Sequence, residues 1–77
     1  MNATTEAIIA LLPKKPILVP AEIAAAYGLA GSTAILADIK TGKLAANIVN
    51  GRYLIARAEA ERYIAANEYE PDEGTLS

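Results

Sequence analysis

The chain of 77 residues contains no cysteine and no histidine. The first absence removes disulfides and thiolate ligands, and the second removes the commonest metal ligand and the usual base near neutral pH. No metal site, thiol chemistry or cofactor is expected, and no enzymatic activity. Long apolar runs are also missing, none approaching the roughly 20 residues that a membrane-spanning helix needs. With no basic leader ahead of an apolar stretch and no disulfide framework, the expected compartment is the cytoplasm.

Hydrophobic residues make up 53% of the chain. Many are alanines, which bring backbones close without burying much area, so tight helix contacts and a thin core are expected. A chain this short forms one domain and buries only about 60% of its unfolded surface. The net charge of −2 conceals a strong asymmetry. Residues 1–57 carry six cations (Lys14, Lys15, Lys40, Lys43, Arg52, Arg57) against three acids (Glu6, Glu22, Asp38), a net +3. Residues 58–77 carry Arg62 against six acids, a net −5. A mildly basic body precedes an acidic end, which permits a local basic footprint on an acidic protein.

Periodicity and punctuation give the elements. Ala7, Ile8, Leu11 and Leu12 predict a first helix over residues 4–12, capped by Thr4 or Thr5, stopped by Pro13 and leaving Ile9 outside this set, to be covered by the rest of the domain or by a second copy. Lys14-Lys15-Pro16 reads as a linker, and Ile17-Leu18-Val19 as a short extended segment. Pro20 opens a second helix over residues 20–27, which Gly28 ends, and Leu29 is the expected plug of the following turn. Ser32 or Thr33 caps a third helix that runs to about Lys40, buries Ile35 and Ile39, and ends at Gly42.

Asn50-Gly51 is the strongest local signal, because a two-residue type I′ turn needs positive φ at both positions. It predicts a hairpin of residues 46–49 and 52–55. A closing helix follows over roughly residues 57–67, with Ala60, Tyr63, Ile64 and Asn67 inward and Glu59 and Glu61 solvated. Residues 68–77, with Pro71, Gly74 and four acids, are expected to form a disordered tail. Three parts result: a helix and linker (1–16), a main domain (17–67) and the tail (68–77). The expected class is mainly α with a small β-hairpin: a winged helix-turn-helix with an extra N-terminal helix.

The segments PAEIAAAYGL, STAILADIKTGKLAA and NGRYLIARAEAERYI resemble, in that order, the excisionase-like branch of the MerR-type winged helix-turn-helix proteins. That family includes phage and plasmid excisionases, small transcription regulators and the DNA-recognition domains of some phage terminase small subunits. The resemblance implies double-stranded DNA as partner, with one helix in the major groove and the hairpin on a minor groove or phosphate. By position it assigns Ser32, Thr33, Ala34, Ala37 and Lys40 to the groove-facing helix, Lys43 to its exit, Asn50, Gly51 and Arg52 to the wing, and Arg57 to the backbone near the closing helix.

Each assignment has a plainer counterpart. The cations also serve as solvated charge, Ser32 and Thr33 as helix caps, and Tyr27, Tyr53 and Tyr63 as core edges. The groove face is poor in Arg and Lys, and Asp38 would repel phosphate, so tight binding would need further copies, joined through the N-terminal helix, an integrase or other protein partner, or the wing. The competing expectation is a protein-interaction module on the same fold, a phage-encoded inhibitor or adaptor, which the acidic balance and uncharged groove face favour.

Overall fold

The computed structural model describes residues 1–69, so the tail expected over 68–77 lies, from residue 70 on, outside the described residues. The elements are α1 (Ala3–Leu11), β1 (Ile17–Leu18), α2 (Pro20–Ala26), α3 (Thr33–Lys40), β2 (Asn47–Val49), β3 (Arg52–Ala56) and α4 (Arg57–Ala66). The described chain is thus mixed α/β, with four helices and an antiparallel sheet in the order β1-β3-β2. The β-structure exceeds the expected hairpin, because the extended segment before Pro20 adds a third strand. Ile17 pairs with Ala56 and Leu18 with Ile55. Pro16 and Pro20 keep this segment out of a helix, and the Leu18–Ile55 pair, both fully buried, gives it a partner.

The hairpin register follows its turn. Val49 pairs with Arg52 across Asn50 (φ 51°) and Gly51 (φ 76°), the two positive angles of a type I′ turn. β3 runs into α4 with no intervening residue, so the position of the central strand sets where the closing helix begins. Alternation along β3 sends Tyr53 and Ile55 to one face, and Ile55 is fully buried among Leu12, Leu18, Ile23, Ile35, Leu44 and Ile64.

Glycine ends both α2 and α3 in the same way. Gly28 (φ 75°) and Gly42 (φ 85°) take left-handed angles, and paired bonds satisfy the last carbonyls. Gly28 N–H donates to Ala25 O at 3.0 Å and Leu29 N–H to Ala24 O at 2.9 Å. The counterparts are Gly42 N–H to Ile39 O at 3.2 Å and Lys43 N–H to Asp38 O at 2.8 Å. Leu29 is 44% exposed, so it does not plug the turn as expected; its amide closes the helix end instead.

The inward face of α1 is rotated from its expected position. Thr5 and Leu12 are buried, with Ile8 and Ile9 packed on the core, whereas Leu11 is 68% exposed and Ala7 is also exposed. Asn2 Oδ1 accepts the Thr5 amide at 2.8 Å, so the helix starts before Thr4 and Thr5, and packing selects Thr5, Ile8, Ile9 and Leu12 as the inward stripe. At the other terminus, Glu68 accepts the Asn2 amide at 2.7 Å, and its carboxyl is held below the usual range by the Thr5 hydroxyl and then by that amide. The first residue of the expected tail is therefore anchored to α1. Asn67, expected inward, is exposed and caps α4.

Glu59, expected to be solvated, instead fastens two elements together. Glu59 pairs with Arg62 at 2.6 Å and accepts the Ala45 amide at 3.0 Å, while Arg62 reaches the Lys43 carbonyl at 3.0 Å. This joins α4 to the segment that links α3 to β2. The Arg62 bonds, and then the Ala45 amide, lower the Glu59 carboxyl to about 2. At α2, Glu22 accepts the Val19 amide at 2.9 Å and pairs with Lys15 at 2.6 Å. The lysine contact is the larger cause of its lowered pKa.

Two predictions follow from this packing. Ile55→Ala removes a fully buried side chain from the central strand and should cost about 3 kcal/mol, read as a lower denaturation midpoint at unchanged slope. Glu59 is depressed in the folded state, so its contribution is complete above about pH 4.5 and is lost as pH falls toward about 2. Glu59→Gln should therefore flatten the fall in melting temperature across that window, and an unchanged profile would count against the contact.

Candidate nucleic-acid interface

The geometry of α3 is set by what holds its two inner flanks. Ile35 is buried and Ile39 packs against the core, and Asp38, one position away, accepts a hydrogen bond from the Tyr63 hydroxyl on α4. Burial first, and then this bond, raises the Tyr63 pKa. Asp38 thus faces α4 rather than the helix's exposed side. Tyr63 is 5% exposed and stacks edge-on against Tyr27, with ring centres 6.3 Å apart at 89°.

With these flanks fixed, the helical repeat brings Thr33, Ala34, Ala37 and Lys40 together on the exposed arc. Leu36 sits at the edge of that arc, half-buried, one turn before Lys40. Beside it lies a recess of about 270 Å³ between α3, the start of α2 and β3, lined by Pro20, Ala21, Ser32, Leu36, Arg52 and Tyr53 among others. Ser32 and Arg52, far apart in sequence, therefore line one cavity. Ser32 occupies the N-cap position without a side-chain capping bond, so neither it nor Thr33 caps α3 through its hydroxyl. Leu36 and Tyr53 line the same recess, although no local pattern groups them with Ser32 and Arg52. Leu36 lies between the Ile35 and Ile39 stripe and the exposed arc, and the start of α2 and β3 together supply the other walls of its recess.

The remaining expected residues divide. Asn50 and Gly51 form the exposed hairpin tip, next to Arg52. Lys43 is exposed but borders a different cavity, with Glu59, Arg62 and Asn67. Arg57 is committed elsewhere: its guanidinium donates to Pro13 O at 3.0 Å and pairs with Glu61 at 3.0 Å, and its amide donates to Pro16 O at 2.9 Å. These contacts hold the linker that precedes β1 against α4.

Charge is distributed unevenly between bonded and unbonded groups. Among the described residues, Glu22, Glu59 and Glu61 are ion-paired, Asp38 is bonded to Tyr63, and Glu68 to the Asn2 amide. Of the cations, Lys15, Arg57 and Arg62 are paired, while Lys14, Lys40, Lys43 and Arg52 are exposed with no side-chain partner among the described residues. Asp38 and Glu68 keep their negative charge but are held by neutral donors, Glu6 has no side-chain partner among the described residues, and the four unpaired cations are all exposed. No cluster of three or more potential metal ligands occurs among the described residues, and no described helix is long and apolar enough to cross a membrane.

The chain matches no family model, no curated protein and no solved structure.

Arg57→Ala should lower stability by about 1–2 kcal/mol, because it removes charge-assisted bonds to the linker and to Glu61. Arg52→Ala, at an exposed side chain, should change the melting temperature little. Thermal melts of the two variants measure the contrast.

Proposed function

We propose that the chain is a small DNA-binding protein of the winged helix-turn-helix kind, with α2 and α3 as the helix pair, the β2–β3 hairpin as the wing, and α1 as an added helix. The observation that carries this reading is the surplus of uncommitted cations. Lys40, Lys43 and Arg52 stand exposed on α3, its exit and the hairpin, while Glu22, Asp38, Glu59 and Glu61 are bonded within the fold and Glu6 lies on α1. Such cations displace the counterions of duplex DNA, giving an affinity that falls steeply with salt. The element order and the resemblance to excisionase-like proteins point the same way.

In this mechanism α3 settles in the major groove through Thr33, Ala34 and Ala37, Lys40 and Lys43 hold phosphates along the helix and its exit, and Arg52 holds the backbone beside the wing. The activity is architectural or occluding and involves no bond-making. Asp38 is no obstacle, because its bond to Tyr63 keeps it off the exposed arc.

A second reading, a protein-interaction module, draws support from the sheet edge. β2 is an outer strand whose Ile48 and Val49 are 63% and 50% exposed, an apolar edge suited to pairing with another chain.

Binding to the chain's own upstream DNA and to a scrambled duplex, titrated across salt, separates the two. Under the DNA reading, the double variant Arg52→Ala with Lys43→Ala lowers the slope of log affinity against log salt by about two, one unit per lost phosphate contact. Binding that is absent at low salt, or a slope unmoved by both substitutions, would refute it.

A further inference from the structure

The exposed arc of α3 holds no amide, carboxylate or guanidinium. Its side chains are Thr33, Ala34, Ala37 and Lys40, so bidentate reading of adenine by Asn or Gln, or of guanine by Arg, is unavailable to this helix. What it offers is methyl groups, beside a recess of about 270 Å³ whose wall includes Pro20, Ala21, Leu36 and Tyr53. That volume is several times the roughly 30 Å³ share of a liquid water molecule, enough for a methyl group with the ring edge that carries it. Arg52 lines the same recess, and Lys40 lies one turn along from Leu36; neither has a side-chain partner among the described residues.

An occupant must therefore be apolar at its centre and anionic at its edges. In the major groove the C5 methyl of thymine is the apolar feature, and phosphates flank it on both strands. The geometry points to the recess between α3 and β3 as a thymine-methyl site, through which the chain selects thymine-bearing duplex by apolar contact instead of hydrogen-bond readout. This rests on the DNA-binding reading and adds a sequence preference to it. Arg52 and Lys40 supply affinity without preference, and Leu36 with Tyr53 supplies preference without charge.

Removing the methyl while leaving charge and base pairing intact tests the inference on the wild-type chain. Affinities are measured for a duplex containing thymine and for the same duplex with deoxyuridine at every thymine, across a salt series. The thymine duplex should bind about threefold to fourfold more tightly per buried methyl, with equal salt slopes. Replacing cytosine by 5-methylcytosine in a G·C duplex, which restores a methyl at the same groove position, should tighten binding by a similar factor. Leu36→Ser should abolish the thymine preference while keeping the salt slope.

Equal affinity for thymine and deoxyuridine duplexes, with a steep salt slope, overturns the methyl site and leaves DNA binding intact. A preference for unmethylated G·C duplex also overturns it, and would assign Lys40 to guanine. No binding to either duplex at low salt overturns both readings and makes an acidic peptide with an apolar side chain the better occupant of the recess.

Discussion

β3 is the element on which the arrangement depends. It is the only described strand with two neighbours, and its Ile55 is fully buried opposite Leu18. Because β3 passes directly into α4, the position of this strand also fixes the helix that anchors α3 through Tyr63 and Asp38 and the α3–β2 segment through Glu59 and Arg62. The buried core is built mainly of leucine and isoleucine, with alanine at three of its positions, and the direct passage from β3 into α4 lets one strand place the closing helix against it.

The same arrangement separates the charges. Helices and linkers are fastened by carboxylates acting at close range: Glu22 on the Val19 amide, Glu59 on Ala45 and Glu68 on Asn2. Surface ion pairs contribute little individually, but a carboxylate that also accepts a backbone amide satisfies a donor that would otherwise rely on water. Using the acids this way leaves Lys40, Lys43 and Arg52 uncompensated on α3, its exit and the hairpin. An acidic chain thereby retains positive charge on the surface proposed to meet DNA, which its net charge of −2 conceals.

Much of the secondary structure was legible in local signals. Pro20, Gly28, Gly42 and Asn50-Gly51 each dictate a backbone conformation whatever surrounds them, and the helices and hairpin fall where those residues require. The start of α1 was less legible. Asn2 competes with Thr4 and Thr5 as a cap, and the apolar residues of this helix surround it closely enough that either Ala7 with Leu11 or Thr5 with Ile9 could face inward. Propensity cannot resolve that competition, because the winning cap also brings Thr5 and Asn2 to Glu68, 63 or more positions along the chain.

The sequence alone therefore determined where the chain turns and where α2, α3 and the hairpin begin and end, since those limits depend on residues within a few positions of one another. Tertiary structure decided what crosses long sequence distances: β1 joining β3, Arg57 holding Pro13, Asp38 turned toward Tyr63, and Ser32 and Leu36 brought to one recess with Arg52. No local pattern encodes these contacts. Each depends on a partner 16 to 44 residues away, reached only once burial of Leu18, Ile35, Ile55 and Ile64 has fixed how the elements pack.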